Sequence, residues 1–190
     1  MRSTLPAAAF LAPAFLALAA CSAIVPSTAA RLAAFDPLTA DPAGIELLVI
    51  LPPGLSVTPG TAKLEFGAVR GTESRKGSFA LADRSVTDGL DLPDGATARR
   101  YALTPADAQE MRALQAEISG WEQDGTAQGA LGLGVDGCAT GAGPAPDATG
   151  SVLIRLEENA PFLQLIDQGK LADLLGAAAL AAIKPCNGAE

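Results

Sequence analysis

Residues 45–51 set Ile45, Leu47, Val49 and Leu51 against Glu46, Leu48 and Ile50, and Pro52-Pro53-Gly54 halts the run at once. Apolar residues with period two predict a β-strand, and a strand apolar at almost every position needs cover on both faces. Proline removes a ladder donor and glycine loosens the backbone, so the strand is short and the chain turns. A chain built around such a segment folds in layers.

The same pattern recurs downstream. Residues 62–69 place Leu64 and Phe66 on one side and Lys63 and Glu65 on the other. A polar turn over 71–77 leads to a strand at 78–82 with Phe79 and Leu81, so the two read as a hairpin with a long turn. Residues 97–103 (Arg99, Tyr101, Leu103), 131–135 (Leu131, Leu133, Val135) and 152–156 (Val152, Ile154, Leu156) add three more strands. A Gly/Pro/Ala loop at 141–150 separates the last two.

One helix stands out. Thr104 is an N-cap residue, Pro105 takes the first helical position, where its missing N–H costs nothing, and Asp107 suits the positive end of the helix. Met111, Leu114, Ile118 and Trp121 follow at helical spacing, with Gly120 near the end, which predicts a helix over about 104–119. Residues 161–183, rich in Leu and Ala, read as one or two short helices. Their 171–183 portion is shorter than the ~20 residues that span a bilayer, so it is expected to pack on the sheet. The expected fold is mainly β, a sandwich-like antiparallel sheet domain with that one helix and short C-terminal helices. An α+β two-layer arrangement is the alternative.

Composition narrows the chemistry. The chain carries a net charge of −8 and no histidine. An acidic surface gains nothing from phosphate counterion release, so nucleic acid is not an expected partner. Without histidine the usual Ser-His and Cys-His pairs and imidazole metal sites are out of reach. Neither Ser-x-x-Lys nor Gly-x-Ser-x-Gly occurs, and no catalytic residue, cofactor or metal ligand is assigned.

Residues 1–20 have the anatomy of an export signal, with Arg2 ahead of an apolar stretch rich in Ala, Leu and Phe. It ends Leu18-Ala19-Ala20-Cys21, which resembles the lipobox of bacterial lipoproteins, and the resemblance covers about the first 22 residues. It implies cleavage before Cys21, a diacylglyceryl group on the Cys21 thiol and fatty acylation (palmitate) of the new amino terminus. In Gram-negative members of that family an Asp after the cysteine tends to retain the protein at the inner membrane. Ser22 stands there in this chain, which implies the periplasmic face of the outer membrane. Two other readings of the same stretch are secretory cleavage after an Ala-x-Ala site near 26–34, and retention of the uncharged run 3–30 as a proline-broken membrane helix. Residues 21–43, with Pro26, Pro37 and Pro42, read as a lipidated tether, and residues 44–190 as a single globular domain.

The remaining candidates each have a plain reading beside the functional one. With Cys21 lipidated, Cys138 and Cys186 are the two cysteines left, and an even pair in an oxidising compartment reads as a disulfide. Gly132-Leu133-Gly134-Val135-Asp136-Gly137 spells G-x-G-x-x-G, but it lies within an alternating strand rather than between a strand and a helix. Asp83, Asp88, Asp91 and Asp94 miss the spacing of a Ca²⁺ loop and fit turn chemistry. Glu157-Glu158 reads as a solvated strand end, Arg99-Arg100 as surface ion-pair partners of the acidic stretch, and Trp121 and Tyr101 as isolated aromatics. The function expected is a lipid-anchored envelope protein, a structural or partner-binding module held to the membrane through Cys21 with an envelope protein as its possible partner. The alternatives are a histidine-free enzyme using carboxylates, and a small-ligand carrier with a groove between the sheet and the C-terminal helices.

Overall fold

The strand expected at 45–51 forms as β1 (Glu46–Leu51), and the fold is arranged around it. The computed structural model describes residues 24–86, 90–122 and 128–186. β1 pairs antiparallel with β6 (Thr97–Ala102) on one side and β9 (Thr149–Arg155) on the other. β5 (Ala82–Arg84) extends the sheet beyond β6, and β10 (Leu163–Lys170) beyond β9, giving five antiparallel strands in the order β10-β9-β1-β6-β5. A second sheet has the order β4-β3-β7, from β3 (Lys63–Arg70), β4 (Glu73–Ala80) and β7 (Gln128–Gly134). A ribbon of β2 (Leu55–Val57) and β8 (Gly137–Ala139) completes the strands. The fold is mainly β and sandwich-like, as the alternation implies.

One core joins the sheets. Leu47 and Val49 from β1 and Tyr101 from β6 meet Leu64, Phe66 and Ala68 from β3 and Phe79 from β4. Ala108, Met111 and Ile118 of α2 (Pro105–Glu122) belong to the same cluster, and α2 packs on β3 and β4. The approach is close at Gly77, where a Cβ would lie 2.7 Å from the Phe79 ring and 3.0 Å from Leu114. Thr104 caps α2 by accepting the Asp107 N–H at 3.1 Å and donating its hydroxyl to the Asp107 carboxylate. The helix runs through Gly120 to Glu122, past the expected end at 119. Trp121 completes its apolar stripe there, buried with the guanidinium groups of Arg70 and Arg75 4.7 and 5.3 Å from its ring.

Three expectations are corrected. The turn between β3 and β4 is not the long one at 71–77: Arg70 pairs with Glu73 around Gly71 and Thr72, and Gly71 has φ 59°. Glycine with positive φ at the first position is what a type II′ hairpin turn requires. β4 was expected only from 78 because residues 73–76 are polar. It is an edge strand with one buried residue, Phe79, and the turn rather than burial holds its first half. The first half of 161–183 is strand β10, not helix. It reads poorly as alternation because it shifts register between Gln164 and Ile166 and again between Ile166 and Gly169. The buried Ser151 hydroxyl accepts the N–H of Gln168, which has φ 41°. Helices follow only at α3 (Leu171–Leu175) and α4 (Ala177–Ala181).

The stretch read as a tether, 21–43, is packed on the domain from Ile24 onward. Ile24 bridges to Ile166, α1 (Pro26–Ala33) lies along β10, and Leu38 is part of the core. Phe66, 1% exposed between the two sheets, is the test of this packing. Phe66→Ala is expected to lower unfolding free energy by about 3–5 kcal/mol, whereas Lys76→Ala on the exposed edge changes it by less than about 0.5 kcal/mol, both read by denaturant titration.

Candidate functional site

A cleft of about 670 Å³ lies at the end of α1, lined by Arg31, Phe35, Asp36, Asp41, Glu157 and Leu163. Local side chain-to-backbone hydrogen bonds shape its near wall. Asp36 accepts the Leu38 N–H at 2.9 Å and the Thr39 hydroxyl at 2.7 Å, and Asp41 accepts the Ala43 N–H at 3.1 Å to open a 3₁₀ turn over Pro42–Gly44. Helix α2 then clamps the segment from the side. The buried Gln115 donates its amide to the carbonyls of Pro37 and Ala40, each at 2.8 Å, and Arg112 donates to Asp41 at 2.7 Å. Opposite, the 157–158 backbone comes so close to Gly44 that a Cβ there would lie 2.6 Å from the Glu158 nitrogen.

Three acids thus face one cleft, the feature a carboxylate enzyme needs, but two of them are already engaged. The Ala43 N–H and then the Arg112 guanidinium hold the Asp41 carboxyl below its ordinary range. A general acid needs the opposite, a carboxyl kept protonated by burial or by a like charge. Both Asp36 oxygens are taken by its own turn. Glu157 is exposed. Among the described residues, no group of three or more His, Cys, Asp and Glu is placed to hold a metal.

A second polar cluster lies on the other face of the five-stranded sheet. Glu46 stands opposite Arg155 on β9, and Arg100 on β6 stands one position along, opposite Leu48. The Glu46 carboxylate is 2.7 Å from Arg155 and 3.8 Å from Arg100, with all three side chains at most one-quarter exposed. Arg155 also lies over the Phe162 ring at 5.2 Å. One carboxylate serves two guanidiniums, and one Glu46 oxygen and both arginine Nε atoms are buried without a hydrogen bond. Leu48, on the same face of β1, is only 2% exposed.

Cys21 and Asp88 lie outside the described residues. Cys138 and Cys186 are joined, with Cα atoms 4.8 Å apart and 48 residues of sequence separation. The joint is reinforced by the backbone: Ala139 donates to Lys184 and Cys186 donates back to Ala139. Residues 132–134 lie in β7 and Gly137 in β8, so no strand-to-helix turn exists for a dinucleotide. Asp83 pairs with Arg99 at 3.1 Å, while Asp91 and Asp94 are exposed. Arg99 and Arg100 point to opposite faces, and Arg100 meets Glu46 rather than the acidic stretch. Tyr101 is a core residue whose phenol is pushed up by burial, and further by the Asp83 charge. Sequence reading passed over Gln115, Arg112 and Glu46. Gln115 had a readable signal: four residues after Met111 and three before Ile118, it is a polar side chain on the buried stripe.

Asp41 gives a pH test. Its lowered pKa means the native state favours the ionised form, so its contribution is full at neutral pH and disappears as the carboxyl is protonated below its ordinary 3.8. Asp41→Asn is expected to lower the thermal midpoint at pH 7, and the gap to the native protein should close in acid. In the chain-entropy model the disulfide contributes about 4 kcal/mol, so the Cys138→Ser/Cys186→Ser variant should lose roughly that amount in urea unfolding without losing its β-sheet circular dichroism. Compared with known proteins, the chain matches no family model, and no curated protein or solved structure proves similar to it.

Proposed function

We propose that this chain is a lipid-anchored protein of the bacterial cell envelope, and that its domain is a structural or partner-binding module rather than an enzyme. The observation that carries the reading is Leu18-Ala19-Ala20-Cys21 directly behind an apolar leader that begins with Arg2. Cleavage before Cys21 exposes that residue to diacylglyceryl transfer on sulfur and acylation on nitrogen. Two or three chains on one residue make the attachment effectively permanent, since each buried methylene contributes about 0.8 kcal/mol. Ser22 in place of Asp favours the periplasmic face of the outer membrane in a Gram-negative cell.

The bridge between Cys138 and Cys186 supports this reading. Structural disulfides persist in oxidising compartments, and the cysteine left unpaired is the one at the lipobox. Among the described residues no helix is long and apolar enough to cross a membrane. Two of the three acids of the α1 cleft, Asp36 and Asp41, lock turns, which favours a module over a carboxylate enzyme.

Expression in a Gram-negative host tests the proposal. Intact-mass analysis should show an amino terminus at Cys21 with diacylglyceryl and acyl mass added, and the protein should float with outer-membrane vesicles. Cys21→Ser should release it to the soluble fraction or leave the precursor uncut. An unmodified thiol at Cys21 sinks the proposal. Affinity capture of the lipidated form, with Cys21→Ser as control, tests the module reading. Carboxylate-dependent hydrolysis of an envelope glycan by the purified protein would refute it.

A further inference from the structure

The chain reaches its packed state almost at once after Cys21. Ile24 bridges antiparallel to Ile166, Val25 donates to the Leu165 carbonyl at 3.0 Å, and the Thr28 hydroxyl donates to the Gln164 carbonyl at 2.6 Å. From Ile24 to Thr28 the chain therefore travels along β10 toward its Leu163 end, away from its Lys170 end. Three residues span at most about 10 Å, so Cys21 lies within that distance of Ile24. A flexible tether over 21–43 would instead let the domain range to roughly 25 Å from its anchor. With lipid on Cys21, the edge of the sheet at β10 is held at the headgroups.

The surface beside that edge is rich in Leu and Ala and carries no net charge. β10 passes directly into α3 and α4, where Leu171 and Leu180 turn inward against Leu55 and Ala148. Their other side faces out: Leu175 is 53% exposed, and Ala177, Ala178, Ala179, Ala181 and Ala182 are exposed with it. Among the described residues the exposed large hydrophobics are Ile24, Val69, Leu90 and Leu175, and the first and last of these flank β10. In a chain of net charge −8, residues 167–186 carry Asp167, Asp173, Lys170 and Lys184, so their charges balance. Each helix has five residues, far too short to cross a bilayer.

We infer that Ile24 and the exposed side of α3 and α4 form a bilayer-contacting face, which lays the domain against phospholipid headgroups beside its own anchor. The inference rests on the lipidation of Cys21 proposed above. The occupant is the lipid surface because covalent connection alone brings that surface to within about 10 Å of Ile24.

The experiment uses the full lipidated protein in phosphatidylethanolamine/phosphatidylglycerol vesicles, its Cys21 modification first verified by intact mass. An environment-sensitive fluorophore is placed at Ala178→Cys, at Ala182→Cys as a second site, and at Thr72→Cys on the β3–β4 hairpin of the other sheet. Nitroxide-bearing lipid with its label near the headgroup should quench the first two probes several-fold more than the third. Quenching at Ala178 and Ala182 no stronger than at Thr72, in protein of verified mass and native circular dichroism, overturns the face while leaving the lipoprotein reading intact. Specific crosslinking of both sites to an envelope protein, with no quenching by pure lipid, also overturns it by assigning the surface to a protein. An unmodified Cys21 removes the lipoprotein reading and this inference together.

Discussion

Every larger feature of this fold answers to the need to cover β1 on both sides. Leu47 and Val49 turn toward the sandwich interior, where the second sheet and α2 enclose them. Leu48 turns the other way and is just as buried, at 2% exposure. Arg100 and Arg155 on the neighbouring strands flank the strand and share Glu46. Such a pair offsets its own desolvation only when geometry and hydrogen bonding are good, and here three polar atoms stay unpaired. The cluster is thus a weak source of net electrostatic stability.

The parts of the fold legible in the sequence are those where burial and local geometry agree. β1 and β3 bury alternate or successive apolar residues, and α2 carries its cap, its proline and its stripe in one stretch. β4 and β10 were misread because their strand character comes from partners. Residues 73–76 of β4 bury no side chain, and their place follows from the turn at Gly71. β10 is interrupted by two register shifts, and its Leu163, Leu165 and Ile166 keep no single period. The packed segment from Ile24 to Ala43 was hidden by composition. Three prolines suggest an open linker, yet Pro42 sits at the start of a 3₁₀ turn and is itself buried. Of the candidate sites, the cysteine pair was legible because parity needs no geometry. The α1 cleft was not, since its walls come from residues about 120 positions apart, such as Asp36 and Glu157.

The acidity of the chain also takes on a different meaning with the fold in view. Asp36, Asp41 and Asp107 each accept or exchange hydrogen bonds with nearby backbone or hydroxyl groups at the start of a turn or helix. These carboxylates do conformational work that a neutral side chain of the same shape performs less well, because charge-assisted bonds to N–H groups are the stronger kind. Arginine plays the complementary part. Arg112 fastens the α1 segment to α2, and Arg70 and Arg75 bracket Trp121. Charge in this protein is spent on holding short, glycine- and proline-broken segments in place.

Residues 170–186 show how covalent and noncovalent restraints combine to present a surface. A pair of five-residue helices has no stability of its own, because helix nucleation is costly and propagation needs more residues than these provide. They persist because both ends are fixed. At one end Lys170 closes the ladder opposite Thr149, and at the other Pro185 bridges to Ala139 and Cys186 is joined to Cys138. Between these points Leu171 and Leu180 need to supply only a small inward contact. That leaves their outer residues free of any packing role, so the exposure of Leu175 and the alanines beside it is a consequence of how the segment is held and not a defect of the core.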